Sequence, residues 1–189
     1  MTITELTPPP GEPLTLAETK AHLRIDGTAE DDLLTALIGT VRTHLERETG
    51  LSLLTRSFRL YLDDWPASRV IQIAKGPVQT IESVKVYGTD GMPSDIDVSG
   101  FVLDGEARPA RLGLPQHPAP GQAINGIEID FSAGFGPTGA DVPDTLKRAM
   151  LLHAALLYEF RGAVTPGQQP AAVPAGYDRL IAPFRRRGL

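Results

Sequence analysis

A glycine-rich segment carries the most recognisable chemical pattern in this sequence. Gly134-Phe135-Gly136-Pro137-Thr138-Gly139 fits the letters G-x-G-x-x-G between a predicted strand and a predicted helix. In dinucleotide-binding proteins this pattern holds a pyrophosphate at the helix N-terminus, and a second parallel strand with an acidic residue completes the site. Here Pro137 interrupts the loop, the helix begins several residues beyond Gly139, and no strand pattern follows. We interpret the segment as a turn and expect no cofactor.

Histidines and carboxylate pairs are the other groups suited to acid-base or metal chemistry. The four histidines are His22, His44, His117 and His153. No two of them have a spacing that places them on one helical face as metal ligands, so we interpret them as structural. Asp63-Asp64 lies in a predicted turn, and Glu128 with Asp130 lies on the wet face of a predicted strand. With no G-x-S-x-G, P-loop or HExxH pattern, the sequence predicts neither an enzyme nor a metal site.

Composition narrows the class of protein further. The 189 residues are 41% hydrophobic, contain no cysteine and carry a formal net charge of -5. The absence of cysteine excludes a disulfide scaffold, thiolate zinc sites, iron-sulfur clusters and a cysteine nucleophile. The N-terminus does not resemble a signal peptide, and no window approaches the roughly 20 apolar residues that cross a bilayer. The sequence therefore predicts a soluble protein with one core and no membrane partner.

Charge is distributed unevenly along the chain. Residues 1–100 hold 15 acidic and 9 basic side chains, whereas residues 101–189 hold 8 and 9. An acidic body argues against tight wrapping of nucleic acid, which needs several cations on one surface. The dense basic feature is Arg185-Arg186-Arg187, which suits contact with phosphate or with a carboxylate-rich partner, or simple solvation of the tail.

Two amphipathic helices are predicted near the N-terminus. Thr15 caps the first, with Glu18 three residues later in a capping-box arrangement. The second begins around residues 28–30 and ends at Gly50. Its apolar stripe consists of Leu33, Leu34, Leu37, Ile38, Val41 and Leu45. A third helix, from Pro143 to Gly162, is apolar on nearly every side and is predicted to be central and buried.

Alternating patterns between these helices predict a small antiparallel sheet. Short strands are indicated at residues 58–62, 70–73 and 84–86, and the clearest at residues 127–132, where polar residues alternate with Ile127, Ile129 and Phe131. Residues 88–122 are dense in Gly, Pro and Asp, and we interpret them as a long loop with one strand pattern at residues 101–103.

The fold class predicted is α+β. Two N-terminal helices and a buried helix after the last strand form a helical core beside the small sheet. Residues 1–13 are predicted to be an extended arm, residues 14–162 a single domain, and residues 163–189 a linker and a C-terminal tail or hook. The tail carries apolar groups that we expect outside the main domain, where a partner explains them better than the chain's own core: Tyr177, Leu180, Ile181 and Phe184.

Several stretches, in order along nearly the whole chain, resemble the head-to-tail connector (adaptor) proteins of long-tailed phages, prophages and gene transfer agents. Leu14 to Asp26, followed by Asp31-Asp32-Leu33-Leu34, is similar to that family's opening, and Pro77 to Val84 to its mid-chain strand entry. Later stretches are similar to its strand and turn, its central helix and its hook: residues 127–136, 142–161 and 180–185. The sequence departs from the family pattern at residues 88–122 and after Gly162.

The resemblance implies a structural virion protein without catalysis. Such a protein forms a ring beneath the portal after DNA packaging, dodecameric in the particle, and offers an attachment surface to stopper or tail-completion proteins. Its partners are the portal, neighbouring copies of itself, and passing double-stranded DNA that it does not read. Its location is the neck at the head-tail junction, after assembly in the bacterial cytoplasm.

The resemblance also leads to hypotheses about residues. The apolar groups of the tail, with Arg185, Arg186 and Arg187, are expected to bind the portal, and these arginines meet either acidic portal groups or DNA. The acidic residues Glu30, Asp31 and Asp32 are expected to line the channel, because like charge repels phosphate. Two other classes remain open: a prophage-encoded DNA-binding protein that uses the basic tail, and a small-ligand-binding protein that uses the glycine loop.

Overall fold

The computed structural model describes residues 1–114, 117–160 and 173–185, and they form two compact units. A sheet unit takes Met1–Pro10 and Thr55–Phe135. A helical unit takes Gly11–Leu54 and the described residues from Gly136 onward. The elements are α-helical and antiparallel β, as the sequence predicted for an α+β fold.

The sheet unit contains two antiparallel sheets. The larger has the order β1-β2-β8-β4-β5, and the smaller has the order β3-β7-β6. The strands are β1 (Thr2–Glu5), β2 (Arg56–Leu62), β3 (Val70–Ile73), β4 (Val78–Tyr87), β5 (Pro93–Asp95), β6 (Val102–Asp104), β7 (Ala110–Gly113) and β8 (Ile127–Ala133).

The apolar core of the sheet unit follows the alternation in the sequence. On β8 every second residue is buried, and Phe131 stacks on Phe58 of β2 with ring centroids 5.6 Å apart. Successive side chains of a strand point to opposite faces, so Glu128 and Asp130 lie on the other face. There Arg59 of β2 donates to both Asp130 oxygens at 2.6 and 2.8 Å and contacts Glu128 at 3.1 Å. The wet face of the predicted strand is therefore an ion-pair ladder.

Residues 88–122 are not one long loop, as the sequence had suggested. They contribute β5, β6 and β7, and the predicted strand at residues 101–103 is found one residue later. These strands span three or four residues, too few for a periodic pattern to stand out among the flanking Gly, Pro and Asp. Ala110 and Leu112 alternate with Arg111 and are buried in the core. At the N-terminus, Thr2–Glu5 of the predicted arm pairs with β2 as an edge strand.

The described residues of the helical unit form four helices. They are α1 (Leu16–Leu23), α2 (Asp31–Thr49), α3 (Asp144–Glu159) and α4 (Ala175–Ile181), with 3-10 turns at Gly139–Asp141 and Ala182–Phe184. The predicted capping box of α1 is present: the Thr15 hydroxyl accepts from the Glu18 N–H at 3.1 Å, and the Glu18 carboxylate accepts from the Thr15 N–H at 2.8 Å. Gly50 ends α2 in the left-handed region, with φ 76°.

The α3 helix is less deeply buried than its composition suggested. Its core side consists of Leu146, Ala149, Met150, His153 and Ala154. Leu151, Leu152, Leu156 and Leu157 are half-buried, and Phe160, just after the helix, is exposed. No helix among the described residues is long and apolar enough to span a membrane.

Candidate functional site

The glycine segment forms a capped turn. The Thr138 N–H and hydroxyl donate to Asp141 Oδ2 at 2.9 and 2.8 Å, and this carboxylate lies against Gly136, where an added Cβ would come within 2.3 Å of it. The hydrogen bonds from Thr138 hold the pKa of Asp141 below its usual value. Because the Asp141 carboxylate already accepts from these donors, a phosphate at this turn would compete with a fixed negative charge.

The C-terminal hook, residues 175–185, packs on the helical unit. Sequence reasoning placed its apolar groups outside the domain, and for two of them this is wrong: Tyr177 and Ile181 are fully buried. They lie four residues apart, so they share one face of α4, and that face packs on α3. Leu180 and Phe184 are half-buried. The proline- and glycine-rich composition before the hook suggested a tether and concealed this packing.

Two histidines contact the buried tyrosine of the hook. The His44 ring of α2 and the His153 ring of α3 lie 4.7 Å apart, edge to face. Tyr177 approaches His153 at 5.4 Å and His44 at 6.0 Å between ring centroids. His153 is 4% exposed, and its Nδ1 has no hydrogen-bond partner among the described residues. Burial lowers the pKa of His153, and the neighbouring His44 lowers it further.

A carboxylate completes this cluster. Glu48 of α2 accepts a hydrogen bond from Arg185 and lies 3.4 Å from His44 Nε2. Arg185 also contacts Asp178 of the hook at 2.6 Å. Burial raises the pKa of Tyr177, and the charge of Glu48 raises it further. Arg186 and Arg187, the other two basic residues assigned to the tail, lie outside the described residues.

The acidic cluster at the start of α2 is only partly exposed. Glu30 accepts a hydrogen bond from the Tyr158 hydroxyl of α3, and Asp31 is paired with Lys20 of α1 at 2.6 Å. The side chain of Asp32 is exposed. Glu30 and Asp31 thus join the helices to one another, a role that sequence reasoning missed because Lys20 and Tyr158 are distant along the chain.

The geometry of these residues is one of packing contacts. The described residues contain no group of three or more His, Cys, Asp or Glu side chains that could hold a metal ion. They do contain an ion-pair ladder, a capped turn, and a hook held by aromatic rings and a carboxylate.

Comparison with known proteins identifies the family. The model of the family described as Phage gp6-like head-tail connector protein matches residues 13–97. Among solved structures, a chain from the virion of a native gene transfer agent (GTA) particle is 31% identical, with a TM-score of 0.83, and the match covers 100% of this chain and 97% of that chain. No match is found among curated proteins.

Two further structures match over the same shares of both chains, 100% and 97%, at 30% identity. They are the neck of an empty GTA particle computed with C6 symmetry, with a TM-score of 0.81, and the neck of a native GTA particle computed with C12 symmetry, with a TM-score of 0.78. The chain therefore belongs to the Phage gp6-like head-tail connector family. It is a structural connector, located in the neck of a phage or GTA-type particle.

Proposed function

We propose that this connector assembles as a twelve-membered ring beneath the portal once DNA is packaged, and that the ring offers an attachment surface to the stopper or tail. The observation that carries the proposal is the end-to-end match, at 30% identity, to a neck computed with C12 symmetry. A ring requires heterologous contacts that close by rotation, with two different surfaces of each copy meeting. The protein works as a scaffold, and DNA passes through without being read.

Deletion of the gene that encodes this protein tests the proposal. In a bacterial strain that carries the gene, its deletion is expected to leave DNA-filled or leaking heads beside free tails in electron micrographs. Restoring the gene on a plasmid is expected to restore joined particles, which controls for effects on neighbouring genes. Joined particles in the deletion strain would contradict the proposal.

The portal-binding role of the hook is a part of this proposal that the chain itself can test. Although Tyr177 and Ile181 are buried in the helical unit, the hook consists of one short helix and a 3-10 turn at the end of the chain. We expect a chain that ends at residue 173 to remain folded, because the sheet unit and helices α1 to α3 are intact, and to lose binding to purified portal rings. Circular dichroism checks folding, and retained binding would contradict the role.

Of the three acidic residues proposed to line the channel, one is best placed for this role. Glu30 and Asp31 bind Tyr158 and Lys20, so Asp32 is the member of the cluster with the exposed carboxylate. If Asp32 faces DNA, Asp32→Asn particles should retain DNA more strongly, because repulsion of phosphate is reduced. Unchanged DNA release from these particles would contradict a channel-lining role for the acidic cluster.

A further inference from the structure

The face of the hook that is suited to a partner is already occupied within the helical unit. Tyr177 and Ile181 present the apolar side of α4, and Arg185 adds a cation beyond its end. All three are engaged: the two apolar groups are fully buried, and Arg185 binds Glu48. The exposed side of α4 carries Gly176, Asp178 and Arg179, which offer little apolar surface.

The surface that receives the hook, here called the seat, consists of His44 and Glu48 on α2 and Leu152 and His153 on α3. The rings of His44 and His153 contact Tyr177, and Leu152 lies against Gly176, 3.7 Å from where a Cβ would be. Glu48 supplies the negative charge for Arg185. The seat is thus lined by two imidazole rings and one leucine, with a carboxylate that meets Arg185.

We propose that the hook binds its portal-side partner through this same face, so that docking on the seat and docking on the partner exclude each other. This rests on the proposed function of the hook. The partner's site then has the chemistry of the seat: aromatic and aliphatic side chains that accept a tyrosine and an isoleucine one helical turn apart, beside a carboxylate that pairs with Arg185. In the free subunit the seat shields the hook and lowers its apparent affinity for the partner.

The physical chemistry of a short helix supports an exchange between two such sites. A helix of seven residues is unstable in isolation, so α4 depends on the surface against which it packs. Leaving the seat exposes Tyr177 and Ile181 unless an equivalent surface receives them. The 14 residues between Phe160 and Ala175 can span about 46 Å when extended, so the length of the chain allows the hook to reach another protein.

Variants on the two sides of the contact give different predictions. Glu48→Gln weakens the seat and leaves the hook unchanged, so more subunits have a free hook, and portal affinity is expected to rise about two- to fivefold. Arg185→Gln removes the cation from docking on the seat and from docking on the portal, so the two losses oppose each other and portal affinity should not rise as it does in Glu48→Gln. Glu159→Gln, the same charge change at an exposed position after the seat, is the matched control and should have no effect.

The affinities are measured with purified portal rings by surface-immobilised binding of the full chain. If Glu48→Gln lowers the affinity or leaves it unchanged, the proposal is overturned, because the seat then does not compete with the portal. An ordinary structural role for Glu48 would predict weaker binding, never tighter.

A covalent lock tests the exclusion directly. The chain has no cysteine, so Leu152→Cys with Gly176→Cys creates one thiol pair, which an added two-electron oxidant such as diamide joins as a disulfide. The locked protein is expected to bind portal at least tenfold more weakly, and binding should return after reduction of the disulfide. Each single cysteine variant under the same treatment controls for the substitutions.

The outcomes separate this inference from the proposed function on which it rests. Suppose that the chain ending at residue 173 does not bind portal but the locked protein binds as tightly as the reduced one. The hook then contributes to portal binding while it remains on the seat. In that case the exclusion proposed here is wrong, whereas the portal-binding role of the hook stands. If the truncated chain still binds portal, the portal-binding role of the hook itself fails, and with it this inference.

Discussion

Each of the two units of this connector is stabilised internally in a different way. The sheet unit has a continuous apolar core in which Phe58 and Phe131 stack, and its strands are paired by ladders of backbone hydrogen bonds. The helical unit is completed by a short C-terminal hook whose seat contains two histidines and a carboxylate. The first arrangement resists local opening, whereas the second can open at one element without losing the rest.

This difference suggests that the sheet unit and the hook have different tasks in a subunit of a ring. A connector must keep a fixed shape while it joins neighbours, and the sheet unit has the kind of core that does this. It must also engage a partner at the right stage of assembly, and a detachable element suits that step.

Truncation of the aromatic core of the sheet unit should cause the largest loss of stability. Phe131 is fully buried and stacks on Phe58, so Phe131→Ala is expected to lower the free energy of unfolding by about 3–5 kcal/mol through the cavity it leaves. Urea denaturation followed by the fluorescence of Trp65, the single tryptophan and a residue of the sheet unit, measures this. Phe160→Ala, at an exposed position, should change it by less than about 0.5 kcal/mol.

The same kind of truncation in the hook should have a smaller and local effect. Tyr177 is as buried as Phe131, but Tyr177→Ala can cost no more than the free energy that docks the hook, because the hook then detaches. We expect faster hydrogen exchange and proteolysis in residues 175–185, with the Trp65 transition unchanged. If Tyr177→Ala lowered the free energy of unfolding measured by Trp65 fluorescence as much as Phe131→Ala does, the hook would be part of a single cooperative core.

Acid should weaken the docking of the hook before it affects the sheet unit. His153 is buried against His44 and Tyr177, with Glu48 nearby, and its pKa is lowered in the docked state, mainly by burial. Docking is therefore fully stable above the unfolded pKa of about 6.5 and weakens as the pH falls below it. Hydrogen exchange in α4 measures this between pH 8 and 5, when each observed rate is divided by the intrinsic exchange rate at the same pH.

His153→Gln is the variant that isolates this pH dependence. Gln cannot take up a proton in this range, so the variant should show a flatter pH dependence even if its hook docks less tightly at pH 8. An equally steep response in His153→Gln would show that His153 is not the group that causes the pH dependence.

Local sequence signals were enough to predict the parts of the fold that are marked by capping residues or by a pattern repeated over many residues. The capping box at Thr15, the end of α2 at Gly50 and the alternation along β8 are all found as the sequence indicated. The short strands β5 and β7 were missed because two buried residues, such as Ala110 and Leu112 of β7, do not make a pattern. Whole-chain resemblance supplied the function, which no single residue could have supplied.

The packing of the hook on its seat could not be predicted from the sequence. His44, His153 and Tyr177 were each noted, but as isolated groups, because residues 109 and 24 positions apart carry no local signal of contact. The burial of Tyr177 and Ile181 is a tertiary property, set by the complementary surface of α2 and α3. The roles of the hook at the portal and of the acidic cluster in the channel stay predictions.

The capping box of α1 should make the smallest measurable contribution. The pKa of Glu18 is lowered to about 2, first by its hydrogen bond from Lys147 of α3 and then by that from the Thr15 N–H. Because the side chain is 41% exposed, solvent screens these interactions, and Glu18→Gln is expected to cost about 0.5–1 kcal/mol at pH 7.

The pH dependence gives this variant its own test. A lowered folded pKa means that the contribution of Glu18 is complete above its ordinary pKa of 4.5 and is lost as the pH falls toward 2. The stability difference between the wild-type protein and Glu18→Gln should therefore shrink over that range. Docking of the hook already begins to weaken below about pH 6.5, the ordinary pKa of histidine, so acid should affect the hook first and the α1 cap only later. If the difference stayed constant down to pH 2, the Glu18 carboxylate would not be the source of the stability.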